Sequence, residues 1–555
     1  MKLKQPDSLV SAISVLMISA LSLGLSGCGD SSTAPVGSNG SPVNVTGSVV
    51  AAPVSGANCE FRDSSGASIS DSFVSDASGN YRVEVNGDEL ENDVQLVCTG
   101  GTYTDEADGT TQTAGTLSAF VASGTLDRLG GASVHATPGS TIINRLRTAH
   151  GMTHANARSA FENAFGFAPD ITVAPTDATA PDSSASDDQK LAGLRAAIFS
   201  QLTADLGLTA GQQFDLLDAL AQDLSDDNLD GEDGSGAVVI SGTSDGLPAD
   251  IQNRIGNALI NFRAGNDGTG LTPDKIGAMP FGKVAMTTSY KVEFLPGAMP
   301  ARQGKGQFQI RVSDRTTNLP VSGETVSLMP MMYMVDRTHS TPVIGCTESA
   351  TTGTYDCTLY YLMPSQMMTG DSMGYWEVKV RIGGMTGEAA DFYPPVMMAM
   401  GDTERAVLKS SGDQVMSMLT QSMQPRNYFL FKSDLSGMTG NHSFEVFLTT
   451  METMMTFPAI YPGVTLNGTQ TINTVSVRMS TDGSNWVDAA SSGNGYYSAT
   501  GLSGLTDGSQ GTIYVELTIN GVQYTNTLDG AAPSGTDSDY SMFTVTPGAG
   551  MNMQM

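Results

Sequence analysis

The strongest constraint on this chain is a hydrophobic period that changes twice along its length. From Val43 to Cys98, apolar and polar residues alternate in short runs, among them Val43-Asn-Val-Thr-Gly-Ser-Val-Val50, Pro53-Val-Ser-Gly-Ala-Asn-Cys-Glu-Phe61, Asn80-Tyr-Arg-Val-Glu-Val85 and Val94-Gln-Leu-Val-Cys98. Gly, Asn and Asp separate them. A period of two between turn residues predicts the half-buried strands of a sandwich. From Pro138 to Gly265 the apolar steps become three and four. They run through Ile142, Ile143 and Leu146, then Ala155 to Phe165, then Leu191, Leu194, Ile198 and Leu202. Phe214, Leu217, Leu220 and Leu224 follow a capping Thr209, and Ile251, Ile255, Leu259 and Phe262 complete the series. This spacing predicts amphipathic helices, with a loop over the Ala/Pro/Asp/Ser-rich stretch Pro169 to Asp188. From Leu271 to Pro547 the strand pattern returns. The expected fold class is mainly β with a helical insert.

The second β region contains an internal repeat. Thr325-Val-Ser-Leu-Met-Pro-Met-Met-Tyr-Met334 aligns without gaps on Glu445-Val-Phe-Leu-Thr-Thr-Met-Glu-Thr-Met454. Tyr375 to Ile382 matches Ile513 to Ile519, and Gly353-Thr-Tyr355 matches Gly495-Tyr-Tyr497. Two related sandwiches in tandem are expected.

The N-terminus carries Lys2 and Lys4, then an apolar run from Leu9 to Leu25 that is short for a spanning helix and ends in Leu25-Ser-Gly-Cys28. This reads as a secretory signal. Leu-Ser-Gly-Cys resembles the lipobox of bacterial lipoproteins. The resemblance implies cleavage before Cys28, acylation of Cys28 and anchoring to the outer membrane, since Gly29 stands where an Asp would resemble a retention signal. Palmitate-type acyl chains would then tie the protein to the cell envelope. The four other cysteines are an even number in an exported chain, which suggests the bridges Cys59–Cys98 and Cys346–Cys357. Cys346 and Cys357 as soft metal ligands are the competing reading.

The order of a Gly-x-Val-Val strand, a Pro-Val-x-Gly-Ala turn and Gly-Asn-Tyr resembles carboxypeptidase-regulatory-like Ig-type domains, which implies a spacer or binding unit. The expected organisation is a signal peptide over 1–27, a flexible tether over 28–43 and an Ig-like sandwich over 44–105. A mostly helical domain over 106–270, a sandwich over 271–390 and a linker over 391–424 follow. A second related sandwich over 425–548 and a Met-rich tail over 549–555 complete the chain.

Methionine is the main chemical signal. The chain has 30, and 22 of them lie between Met279 and Met455. Thioethers are soft, uncharged donors that favour Cu(I) over hard cations. Val326 and Leu328 alternate toward a core, and Pro330 predicts that ladder pairing stops near it. Met331 to Met334 would then lie at a strand end, with Met363, Met367 and Met368 returning to the same end. Met451, Met454 and Met455 form a second cluster, with His442 before it. The order Gly323 to Met334, Gly353 to Tyr355, Met363 to Met368 and Gly374 to Val380 resembles the YtkA-like domain. That family implies an Ig-like exported sandwich related to copper handling, with ligands at Met329, Met331, Met332 and Met334 and His339 as an addition. Packing of a flexible apolar side chain, contact with another envelope protein, and oxidant scavenging are the other readings of the same residues.

Asp226, Asn228 and Asp230 stand at positions 1, 3 and 5 of an EF-hand-like loop with Gly231 at 6, a weak Ca2+ expectation because Ala237 replaces the bidentate Glu. His150 and His154 are four apart, but Gly151 is expected to break the helix and Thr153 to cap the next. A formal charge of −30 disfavours nucleic acid as a partner. No His-Glu-x-x-His or phosphate loop is present, and five scattered His give little to a triad. The expected function is therefore non-enzymatic: a lipid-anchored protein binding Cu(I), or alternatively a structural or adhesive surface lipoprotein.

Overall fold

The structure is a computed structural model that describes residues 42–126, 132–417, 420–467 and 470–548. The signal peptide, Cys28, nearly all of the tether and the tail Met551 to Met555 lie outside the described residues.

The chain is mainly β with one helical block. Its first part has two larger sheets and a two-stranded ribbon, Thr102–Thr104 with Thr111–Thr113. One orders Asn80–Asn86, Pro42–Val49 and Ala132–Ala136, and the other orders Phe73–Val74, Asn58–Asp63, Val94–Thr99 and Thr116–Val121. The first strand already pairs at Pro42 with Asn86, so the ladder starts inside the stretch expected as tether. The strands at 116–121 and 132–136 extend the sandwich past the expected boundary at 105. They were hidden because a Gly/Asp/Thr-rich stretch separates them from the earlier strands. The helices Pro138–Thr148, His154–Phe165, Asp187–Asp205, Gln213–Asp223 and Ile251–Gly265 follow the apolar steps read from sequence. Thr153 caps its helix by accepting from Asn156 N–H, and Gly151 breaks the chain before it at φ 70°. Helices and first sandwich share one continuous apolar core, running from Val43 to Met279 and taking in Tyr375 and Tyr393 of the next sandwich. They pack as one unit, where two domains were expected.

The two later sandwiches share the same order over nine strands, and the second adds Ser541–Val545 against Gly511–Ile519. In the first, Val284–Met286, Tyr290–Pro296, Gly304–Asp314, Thr354–Tyr361 and Val343–Glu348 form one sheet. Thr338–His339, Val326–Tyr333, Tyr375–Ile382 and Glu388–Phe392 form the other. In the second, Arg405–Leu408, Tyr428–Met438, Asn441–Thr450, Tyr496–Leu502 and Ala490–Gly493 take the first five places. Val487–Asp488, Val475–Ser480, Gly511–Ile519 and Val522–Tyr524 take the next four. The tandem is therefore a repeat of topology, but one sequence match shifts. The counterpart of Val326–Tyr333 is Val475–Ser480, not the segment ending at Met454. Alternating patterns align on any strand, and only the pairing order separates them. Arg405–Leu408 is the edge strand of this second sandwich and Gln414–Met416 pairs with Met423–Pro425 in a sheet of its own, so much of the stretch 391–424 is structure and not linker.

Tyr360, Leu362, Phe429, Phe431 and Phe447 pack between the two sandwiches, with Tyr360 stacked on Phe447 at 4.7 Å. Lys305 Nζ donates to Ser433 O at 3.0 Å and Arg405 Nη1 to Leu362 O at 2.6 Å across the same seam.

Both expected disulfides are present, Cys59–Cys98 and Cys346–Cys357, each between directly opposed residues of paired strands. The first closes 39 residues and so restricts the unfolded chain more than the second, which closes 11. Cys59→Ala with Cys98→Ala is expected to cost about 2–4 kcal/mol of stability, read as a lower urea midpoint.

Candidate functional site

The strand Val326–Tyr333 decides where the sulfurs go. Val326, Leu328, Pro330 and Met332 are buried, while Ser327, Met329, Met331 and Tyr333 face the other way. Pairing does not stop at Pro330. The ladder runs from Val326↔Ile382 to Tyr333↔Tyr375 without a break. The strand on the other flank, Thr338–His339, reaches only Tyr333 and Met332. Pro330 therefore has an open flank, where a missing N–H costs no ladder bond.

The ligand set implied by the resemblance is consequently divided. Met332 is sealed in the core of its sandwich. Met329 lies on the opposite face, with Arg381 Nε 3.3 Å from its sulfur, and Met331 shares that face. Met367 and Met368 line a separate groove of about 310 Å³ with Met397, Met398 and Met400. Met455 is 51% exposed and stands apart from the cavity described next.

Five of the expected residues do meet. A cavity of about 420 Å³ is lined by Met334, His339 and Met363 of one sandwich and by Met451 and Met454 of the next. Ser340 N–H donates to Met454 O at 2.7 Å, which holds the second methionine loop against His339. Trp376 Nε1 donates to Met363 O at 3.1 Å and its ring stands edge-on to His339 at 5.7 Å. Both outer groups are thereby fixed.

The His339 ring has a defined proton. Burial lowers its pKa below the ordinary 6.5, Arg337 and Arg405 push the same way, and the contact with Ser340 O opposes them. The imidazole is neutral at neutral pH. Its Nδ1 lies 2.7 Å from Ser340 O, a carbonyl that can only accept, so geometry assigns the ring N–H to Nδ1. Nε2 is left as a bare lone pair 3.2 Å from Met363 Sδ, itself an acceptor. With that tautomer, the imidazole nitrogen and the thioether sulfur are two neighbouring donors that could hold one soft ion. Donors bonded to one first-row ion at about 2.0 Å for nitrogen and about 2.3 Å for sulfur lie about 3.5 Å apart, close to this spacing.

Sequence reading did not anticipate the cations and the acid at the same wall. Arg337 is held by Asp336 at 2.7 and 2.8 Å, Arg405 by Leu362 O, and Lys409 by Leu528 O at 3.2 Å. Glu452 pairs with the buried Arg426. They come from distant segments, so no local pattern marks them.

The Asp226, Asn228 and Asp230 loop is occupied by its own turn contacts. Asp226 Oδ1 accepts the Asn228 N–H, Asp230 Oδ1 the Glu232 N–H, and Asp223 the N–H groups of Asp230 and Gly231. The carboxylates close turns. Among the described residues, no group of three or more His, Cys, Asp or Glu is placed to hold a metal ion. Cys346 and Cys357 are bonded to each other, which removes them as ligands. No helix among the described residues is long and apolar enough to cross a membrane.

No family model matches the chain, and no curated protein is similar to it. Solved structures similar to part of it include surface layer protein SbsC domains 4–9, at 11% identity, 47% of this chain, 32% of that chain and a TM-score of 0.15. S-layer protein SbsC domains 5–6 match at 12% identity, 47% of this chain, 99% of that chain and a TM-score of 0.14. The chain thus spans about a third of the first of these structures.

Proposed function

We propose that this chain is a non-enzymatic envelope protein, anchored through an acylated Cys28, that binds Cu(I) in the cleft between its two C-terminal sandwiches. The ligands are His339 Nε2 and Met363 Sδ, with Met334, Met451 and Met454 completing the set. One observation carries this reading: a bare imidazole nitrogen faces a thioether sulfur with no proton to place between them. The donors are neutral and soft, which suits a monovalent soft ion and disfavours Ca2+ or Mg2+. Thioethers need no deprotonation, and burial lowers the His339 pKa below its ordinary value, so proton competition at these donors is reduced.

The test is a Cu(I) titration of the full chain against a competing chelator, with ascorbate as reductant. Wild type is expected to take one ion per chain. Met363→Leu keeps the apolar volume and removes the sulfur, and is expected to weaken binding by about tenfold or more, the equivalent of ~1.4 kcal/mol or greater. His339→Leu is expected to act likewise, while Met367→Leu and Met368→Leu leave affinity unchanged. Absence of stoichiometric binding by wild type overturns the copper reading and leaves the structural or adhesive surface role.

A further inference from the structure

The outer face of the sheet that carries Met329 and Met331 packs beneath the helix Ile251–Gly265. Asn253 Nδ2 donates to Asp391 O at 2.6 Å, and Tyr393 OH donates to Asn257 Oδ1 at 2.9 Å. Across three adjacent strands, Met329, Lys379 and Asp391 stand in one row. Lys379 Nζ lies 3.1 Å from Asp391 Oδ1 and 3.3 Å from Glu377 Oε1. Glu377 precedes Lys379 by two residues, so both point to the same face. Tyr333 OH donates to Glu377 Oε2 at 2.8 Å and fixes that carboxylate. Glu377, Tyr375 and Tyr393 are buried, while Lys379 and Asp391 keep 28% and 26% of their side chains exposed.

We propose that Lys379 and Asp391 are joined by an intramolecular amide bond, with Glu377 as the proton carrier. Glu377 takes a proton from the Lys379 ammonium. The freed amine attacks Cγ of the protonated Asp391 carboxyl, and an N–Cγ bond forms. A Cγ–O bond then breaks and the departing hydroxyl leaves as water with the proton held by Glu377, whose freed carboxylate takes the second proton from the nitrogen to give the neutral amide. No oxidant or activating group is needed, since one water balances the step. The strands hold amine and carboxyl in contact, which removes the entropic cost of bringing them together. Burial raises the Asp391 carboxyl above the ordinary aspartate range despite Lys379 beside it, favouring the protonated electrophile. Burial also works against the Lys379 charge, but Asp391 and Glu377 outweigh it, so the amine needs Glu377 to release its proton. The neutral amide relieves the desolvation of two half-buried ions. It would fasten the third strand of this sheet to its edge strand beside the helical block.

Tryptic mapping of the denatured, reduced full chain tests this directly. Trypsin should fail to cut after Lys379, and residues 338–381 should appear joined to residues 382–405 at the summed mass less one water. Lys379→Met is expected to give separate peptides, and Glu377→Gln is expected to give predominantly unjoined chains despite folding. Recovery of wild-type peptides ending at Lys379, together with residues 382–405 at full mass, overturns the proposal. Because none of these residues lines the methionine cleft, that result would leave the copper reading untouched.

Discussion

Asp413→Ala is expected to lower the stability of the C-terminal sandwich by about 3–5 kcal/mol, a large share of what a single domain has. The Asp413 carboxylate is buried and fully engaged. Its Oδ2 accepts from Tyr428 OH at 2.7 Å, Tyr524 OH at 2.7 Å and Gln470 Nε2 at 3.2 Å, and its Oδ1 accepts from Arg426 Nε at 3.0 Å. Burial alone would raise this carboxyl, but hydrogen bonds from the two tyrosines and Arg426 outweigh it and hold it below the ordinary aspartate range. Truncation leaves Arg426, 3% exposed in its side chain, without one of its two acidic partners. It also strands two phenol hydroxyls in the core. Asp413→Asn keeps an acceptor and should cost clearly less. Urea unfolding of the three chains, followed by tyrosine fluorescence, gives the order; equal midpoints for wild type and the alanine variant would refute it. Since the folded carboxyl is depressed, its contribution is present above the ordinary aspartate pKa and is lost as pH falls.

Glu106 is expected to act in the opposite sense. It is fully enclosed between the first sandwich and the helices, and burial pushes its carboxyl from 4.5 to about 8, with Asp177 and Asp105 adding repulsion. Below pH 4.5 the folded and unfolded chains both hold the proton, so there is no penalty. Between 4.5 and about 8 the unfolded chain ionises and the folded one does not. Stability then falls with rising pH by up to about 1.4 kcal/mol per pH unit, and levels off above about 8. The summed loss is a few kcal/mol at most, on the order of 4. Glu106→Gln removes the titration and retains the oxygen that accepts Ala178 N–H at 3.2 Å. Its unfolding free energy should therefore exceed that of wild type at pH 8 and converge with it near pH 5. Parallel pH curves for the two chains would show that Glu106 ionises freely in the fold.

Much of the fold is legible along the chain because the helical steps and strand alternation are local signals. Ile142 to Leu146, Leu191 to Leu202 and Ile251 to Phe262 all face cores as their spacing requires. The disulfides followed from the even number of cysteines left after Cys28 and the expectation of export. What fails is whatever depends on partners far away in sequence. Pro330 reads as a ladder breaker until the short reach of Thr338–His339 is known. Gln414–Met416 and Met423–Pro425 read as linker because their Ser, Gly and Met lack a strong pattern, yet they pair and deliver Asp413 to its tyrosines. The methionine cluster was legible as soft donors but not as a geometry. Alternation sends Met332 inward and Met331 outward, and the cavity instead draws Met451 and Met454 from a segment more than a hundred residues away.

The open flank of Val326–Tyr333 has a further consequence. An unpaired strand margin is a template on which a foreign backbone can register. Pro330 places a ring where that backbone would need an amide, so a visiting strand cannot zip along the margin past this point. Neighbouring copies are thereby denied a continuous seam along which to pair.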